Sequence, residues 1–418
     1  MVKIGEFAKN NNVSIDTVRH YMDIGLIIPE KRTGQYQFDN KCYEDIQDII
    51  YLKDLEFTLN EIKKIFQFKR LGKLSALQNN QYYKRLFEGK YEIEKKINQY
   101  QKAKQKLKNE MIRLHHSEDH NYIPIGIPFS ALSLFECKKC CTELSISNGD
   151  IQSNQILNGT LHCECEEQYI IKDGILFSSD TVEHSNHLQK QDQVMDNFNH
   201  FLTDYIKETD DKFINNLFKT IDLTFKKIDM DDLENKTMLH LGTGLGFSLR
   251  HIYDSLPNKT LYIAVDHDYE RHQVLKSILE TYDIRKNILF ICSDFLNIPI
   301  KNKSIDYLID TGTSTYNSNH ESFLLKEIQH YLKNKSYLVG SYIYYSNFHV
   351  QNNTIEEPFR KYFQIKNIKE EINKLNYDPI FDESIIYSDK TPGKYEIHIF
   401  EGEKVFNYMY IGKKLGSR

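Results

Sequence analysis

The alternation of apolar and polar positions divides the chain into four stretches. Residues 1–70 show short amphipathic helical patterns broken by polar turns. In KIGEFAKNNNVSIDTVRHYMDIGLI, Ile4, Phe7, Ala8, Val13, Val18 and Tyr21 make one buried face. The spacing predicts a helix over Ile4–Asn10, a turn at Asn11–Asn12, an N-cap at Ser14 and a second helix over Ile15–Asp23. Residues 71–116 form one long helical pattern with Leu86, Ile93, Ile97, Tyr100, Leu107 and Met111 on three- and four-residue spacing. That stripe is sparse and flanked by charge, as in a two-stranded coiled coil. The prolines of HHSEDHNYIPIGIP break the helix. Residues 129–180 are short strand-like runs, and 181–230 is a polar helical linker or cap. Across 231–418 strands alternate with helices, the pattern of a doubly wound sheet.

Composition narrows the class. A chain of 418 residues, 40% hydrophobic and 27% charged, is globular and too long for a single core. No apolar run approaches the roughly 20 residues that span a bilayer, and MVKIGEFAKNN has no apolar export segment. A cytoplasmic protein without a membrane partner is expected. The net charge of −5 conceals an asymmetry. Residues 1–115 carry 22 Lys and Arg against 15 Asp and Glu, whereas the rest carries 32 against 44. A basic N-terminal third on an acidic body suggests a polyanionic partner for that third alone.

The predicted second helix leaves Ser14, Asp16, Thr17, Arg19 and His20 outward near its N-terminus, the geometry of a helix-turn-helix whose second helix enters the major groove. Next, IPEKRTGQYQFDNKCYEDI alternates basic and aromatic residues around Gly34. It is consistent with a wing laying Lys31, Arg32, Tyr36 and Lys41 on phosphates, and Cys42 beside it reads as a packing residue. These segments, with YEDIQDIIYLKDLEFTLNEIKKIF and the long helix, resemble the mercury-resistance-regulator (MerR) family. The resemblance implies a homodimer through residues 71–116 that binds double-stranded promoter DNA, with RNA polymerase at the promoter, and activates by twisting the duplex. It also implies that Arg19, Tyr21, Arg32 and Tyr36 contact DNA.

Five of the seven cysteines fall between Cys137 and Cys165. In a reducing compartment, such clustering reads as metal binding. Cys137-x-x-Cys140 has ordinary zinc-knuckle spacing. The second knuckle is irregular: Cys163 and Cys165 are one residue apart, while His162-x-x-Cys165 restores the usual interval, and Cys141 could replace Cys140. The favoured ligands of a structural Zn2+ are Cys137, Cys140, Cys163 and Cys165, with no open position for catalysis. The tail EEQYIIKDGILF resembles small zinc-ribbon domains fused to, or partnered with, methyltransferases.

Further on, MLHLGTGLGFSLRHI is a short apolar strand, a Gly242-x-Gly244-x-Gly246 turn and a helix, which is how nucleotide-cofactor sites open. LYIAVD ends a second strand in Asp266, positioned for ribose hydroxyls, and ILFICSDF ends a third in Asp294, positioned for an adenine amine, followed by Phe295. A fourth strand is predicted over Ile305–Ile309. With the approach from Ile298 to Asp306 and a terminal hairpin YEIHIFEGEKVFNYMYIGKK, these motifs resemble class I S-adenosylmethionine-dependent methyltransferases. The resemblance implies an acidic side chain where this chain has His240, so the cofactor's cationic end loses a counter-charge. Asp310, Thr313, Tyr316 and His320 after the fourth strand are polar candidates, with His320 a weak candidate general base.

The expected architecture is multidomain: an all-α winged helix-turn-helix (1–70), a coiled-coil helix (71–116), a small β zinc ribbon (129–180), a helical linker or cap (181–230), and an α/β Rossmann-like methyltransferase domain (231–418). Two functions compete. In one, a MerR-type regulator carries an effector module that binds S-adenosylmethionine or a small molecule. In the other, an active methyltransferase, acting on a small molecule or on RNA, carries a regulatory DNA-binding head.

Overall fold

A computed structural model describes residues 1–32, 34–71, 76–116, 124–178 and 191–415. Two compact units divide the chain, 1–119 and 120–418. The expected break at HHSEDHNYIP and the start of the 181–230 stretch lie for the most part outside the described residues.

The first unit opens with α1 (Ile4–Asn10) and α2 (Ile15–Asp23). Ser14 caps α2, its hydroxyl accepting from the Thr17 N–H at 3.0 Å. Phe7, Ala8, Val18 and Tyr21 close a core with Leu26 and Phe38, and Phe7 stacks on Phe38 with ring centroids 4.3 Å apart. Strands β1 (Glu30–Arg32) and β2 (Gln35–Gln37) pair antiparallel. Helices α3 (Asn40–Asp54) and α4 (Leu59–Leu71) follow. From α4, Arg70 reaches the carbonyls of Gly25 and Leu26 and the Asp45 carboxylate, tying α4 to the turn after α2. Cys42 is buried in this core, as a packing residue should be. The long helix α5 (Ala76–His116) packs Leu86 on the core. Ile93 is half-buried, and further along the apolar stripe is bare: Tyr100, Leu107 and Met111 are each about two-thirds or more exposed (73%, 67% and 70%).

The second unit is built on one sheet of twelve strands. Its first strands are β3 (Ile127–Pro128), β4 (Ser145–Gln152), β5 (Gln155–His162), β6 (Gln168–Lys172) and β7 (Ile175–Phe177). Helices α6 (Gln191–Glu208) and α7 (Asp211–Phe225) come next. The alternating part then runs β8 (Thr237–Leu241), α8 (Phe247–Ile252), β9 (Leu261–Asp266), α9 (Tyr269–Leu279), β10 (Asn287–Cys292), β11 (Ile305–Asp310), α10 (Thr313–Asn317), α11 (Leu324–Glu327) and β12 (Leu332–Tyr345). It closes with α12 (Ile365–Lys374), β13 (Tyr377–Ser388) and β14 (Val405–Lys414). The strand order is β13-β14-β12-β11-β8-β9-β10-β7-β6-β5-β3, with β4 on β5. Every pair from β7 to β12 is parallel, and β14 lies antiparallel between β12 and β13. Strands buried on both faces read as continuous apolar runs: Leu239 and Leu241 face one core, Met238 and Tyr262 the other.

The cysteine-bearing segment joins this sheet, because β7 pairs with β10. The seam is clamped by Glu280, which is paired with Lys276 at 2.5 Å and accepts from the Ile125 N–H at 2.7 Å. The terminal hairpin is formed by β13 and β14, and YEIHIF (395–400) is not one of its strands. That run is drawn elsewhere: Tyr205 donates to Glu396, Tyr395 and Lys394 reach Asp204, and Ile399 enters a small core with Phe213 and Tyr345. Its alternation serves packing beside α6 and α7, not a ladder.

Candidate functional site

The head presents its polar residues on one surface. Ser14, Arg19 and His20 on α2 are exposed and Thr17 is half-buried. Arg19 pairs with Asp16 at 3.0 Å. In the wing, Arg32 pairs with Glu30 at 2.8 Å, and the Lys31 ammonium lies 5.6 Å from the Tyr36 ring centroid. Exposed pairs of this kind exchange partners at little cost, so the guanidiniums are available to phosphates. Lys41 is not in the wing: it sits in the first turn of α3, paired with Glu44 and Asp45. Tyr21 belongs to the core, because the stripe that buries Val18 turns it inward too.

The thiol cluster assembles across the sheet extension. The Sγ atoms of Cys137, Cys140, Cys163 and Cys165 all lie within 4.8 Å of one another. The first knuckle turns because the Cys141 N–H bonds to the Cys137 carbonyl at 2.9 Å with Cys141 at φ 58°. Cys141 therefore points away and is exposed. His162 ends β5 with Nε2 3.3 Å from the Ser145 hydroxyl and is outside the cluster. The Thr142 hydroxyl, 3.0 Å from Cys140 Sγ, draws that thiol down to about 6. Four sulfurs converging at this range suit a tetrahedral thiophilic ion.

The third site is a cavity of about 580 Å³ over the glycine turn. Its floor is the turn after β8. Gly242, at φ 62°, lies against Gly312, where an added Cβ would come within 2.9 Å of the Gly312 Cα. A Cβ on Gly244 would meet no protein atom nearer than 3.9 Å, so that position opens onto the cavity it lines. Gly246 is held under Leu275 and does not line the space. The mouth is apolar and aromatic, with Phe198 and Phe201 from α6, Leu217 and Ile221 from α7, and Phe247. Helices α6 and α7 of the 181–230 stretch thus contribute to the lining. The inner end is polar and uncharged: His240, Thr311, Ser341 and Asn407.

His240 is enclosed. Its Nδ1 lies 2.6 Å from the Tyr262 hydroxyl and its Nε2 2.8 Å from Thr311 Oγ1. Burial pushes the imidazole down to about 3, against a smaller opposing pull from Asp266, so it is neutral. Asp266 supports the turn: one oxygen accepts from Gly244 N–H at 2.7 Å, the other from Asp268 N–H at 3.0 Å. The carboxylates that line the cavity are Glu270 and Asp268, the latter the N-cap of α9 and paired with Arg271 at 3.0 Å. Asp294 is exposed and Phe295 is packed in the core near Gly242; neither lines the cavity. His320 stacks on Tyr316 at 3.9 Å on the surface, away from the cavity lining.

Asp310 ends β11 on the opposite face of the sheet from His240, as its pairing with Leu241 requires. Burial raises its carboxyl to about 7, which the nearby Tyr342 and Thr313 hydroxyls offset only in part, and among the described residues neither oxygen makes a well-formed hydrogen bond. The sequence signals Asp268 through its N-cap position in DHDYER. Nothing local marks Thr311, Ser341 or Asn407, which only the sheet order brings together.

Among the described residues no helix is long and apolar enough to cross a membrane. Residues 2–69 match the family model of the MerR HTH family regulatory protein. The chain is 32% identical over 81 residues to a ZntR-homologue HTH-type transcriptional regulator of Haemophilus influenzae, covering 19% of this chain and 60% of that protein. It is 30% identical over 79 residues to the HTH-type transcriptional activator mta of Bacillus subtilis, covering 18% and 31%. The chain thus spans less than two thirds of either relative. A SAM-dependent methyltransferase from Aquifex aeolicus aligns with 54% of this chain and 99% of its own at 14% identity and a TM-score of 0.33. Residues 2–69 therefore carry the helix-turn-helix of MerR family regulatory proteins, joined in one chain to a doubly wound α/β unit.

Proposed function

We propose that the protein is a dimeric transcription regulator that reads promoter DNA with its N-terminal head and binds an adenosyl ligand in the cavity of its α/β unit. The observation that carries the first half is the surface formed by capped α2 and the wing, within a segment matching a DNA-binding regulator family. Ser14, Thr17, Arg19 and His20 face base edges and phosphates, and Arg32, Tyr36 and Lys41 hold the backbone. The bare stripe of α5 takes the same stripe of a second chain, which sets the spacing of two half-sites. RNA polymerase is the partner at the promoter.

The second half rests on the cradle at Gly242 and Gly244. Close backbone approach suits an adenosyl group, with the ribose hydroxyls meeting Asp268 and the Asp266-braced turn. Bound S-adenosylmethionine would supply a transferable methyl group. The residues hold the ligand: the Gly244 turn takes its backbone side, Asp268 orients the ribose, and the α6 aromatics exclude water. Cys137, Cys140, Cys163 and Cys165 hold one structural Zn2+ that stabilises the sheet extension. Sensing is favoured over methyl transfer because the inner end of the cavity offers hydroxyl, amide and neutral imidazole groups.

The test is a pair of titrations on the full chain. Duplex promoter DNA should bind with steep salt dependence, and S-adenosylmethionine or its demethylated form should give a heat that Gly244→Val abolishes. No heat with either ligand would remove the effector half and leave the DNA-reading half standing.

A further inference from the structure

The inner end of the cavity is wired for hydrogen-bond direction. Tyr262 is fully buried, and the His240 imidazole is the one acceptor its hydroxyl has among the described residues. Its O–H therefore donates to Nδ1, since the alternative strands a buried donor. The ring proton then sits on Nε2 and is donated to Thr311 Oγ1. Thr311, having accepted, keeps one proton to give, and it lines the cavity. Beside it, the Ser341 hydroxyl donates to Asn407 Oδ1 at 2.9 Å, which leaves the Asn407 amide protons as the free end of that pair. Donors face the ligand here, and no carboxylate does.

Asp266 lies under the turn with both its oxygens engaged by backbone N–H groups, and its pull on His240 is smaller than the effect of burial. Asp268, Glu270 and Arg271 lie at the other end, on the start of α9. Arg250 stands beside the aromatic mouth, its guanidinium 5.9 Å from the rings of both Phe198 and Phe247, and its Nε and Nη1 have no partner among the described residues. A guanidinium is charged at any working pH. A cation brought to this inner end would lose its hydration and meet hydrogen-bond donors in place of a carboxylate.

Resting on the reading of the cavity as an adenosyl site, we propose that it selects the neutral thioether form of that ligand over the sulfonium form, with His240 as the specificity-determining residue. The two forms, S-adenosylhomocysteine and S-adenosylmethionine, differ by one methyl group and one positive charge. A sensor with this selectivity would report the product of methyl-transfer reactions in the presence of their substrate.

The experiment is calorimetric titration of the full chain with each compound, in the wild type and in His240→Asp, His240→Gln and Thr311→Asp. The wild type should bind the thioether at least tenfold more tightly. His240→Gln, which stays neutral, should keep that preference. His240→Asp should shift the ratio about tenfold towards the sulfonium, and Thr311→Asp should do the same at the cavity wall if His240→Asp fails to fold by circular dichroism. Equal or tighter sulfonium binding by the wild type would overturn the selectivity but leave the adenosyl site in place. So would a ratio that neither carboxylate moves. No heat with either compound would overturn both.

Discussion

The head and the cavity bring their functional groups together in opposite ways. On α2, seven consecutive residues from Ser14 to His20 supply a cap, a buried Val18 and the exposed Asp16 and Arg19, so one helical period decides what each does. The cavity draws from α6, α7, the turn after β8, α9, the end of β11, β12, β13 and β14, a sequence span from Asn197 to Asn407. A substitution on the head should therefore act locally, whereas one in the α/β unit acts through the sheet that assembles the site.

Gly246→Val tests that contrast most severely. Its Cβ would fall 2.2 Å from Leu275 Cδ1 at φ 71°, which should cost roughly 3 kcal/mol or more. In differential scanning calorimetry the α/β transition should fall while the head, with its own core, keeps its melting temperature. A head that melts with it would show that the units do not fold independently.

Asp310→Asn probes the buried carboxyl. The folded state holds this proton up to about pH 7, whereas the unfolded chain releases it near 3.8. Wild-type stability should thus drop as pH rises from about 4 to 7 and level off above. The variant lacks this drop, so its advantage should grow across that window, at about 1.4 kcal/mol per unit at most. Parallel pH curves from urea unfolding would mean that Asp310 is ionised in the fold.

A double change, Leu107→Asp with Met111→Asp, should separate the chains and weaken binding to a two-half-site operator by on the order of 100-fold, read together with mass by light scattering. An unchanged dimer would move the interface off α5. Arg32→Ala is expected to be milder: roughly tenfold weaker binding across sequences, with the log–log salt slope reduced by about one. A slope that does not change would take Arg32 off the phosphates.

The same contrast governs what could be read from the sequence. The Ser14 cap, the 3.6-residue stripe of α1 and α2, the buried Cys42 and the strands β8 to β11 were legible because each is fixed by its neighbours in the chain. Cys163 and Cys165 were favoured from the sequence with His162 as the alternative, and the register of β4 on β5, which ties His162 to Ser145, leaves His162 outside the cluster. The YEIHIF alternation misled because apolar periodicity records burial without saying whether a ladder or α6 provides it. Thr311 and Asn407 were invisible: their meaning lies in β11 being near β14 through β12, and in the direction of one hydroxyl proton.

In a regulator of the kind proposed, a ligand in the cavity changes how the head reads DNA. The direct measurement is promoter affinity of the full-length protein, by fluorescence anisotropy at fixed salt, without ligand and with saturating S-adenosylhomocysteine. A change of fivefold or more, absent in Gly244→Val, is the predicted result, corresponding to a coupling of about 1 kcal/mol or more. Ligand binding confirmed by its heat, together with identical DNA affinity in both arms, would contradict it.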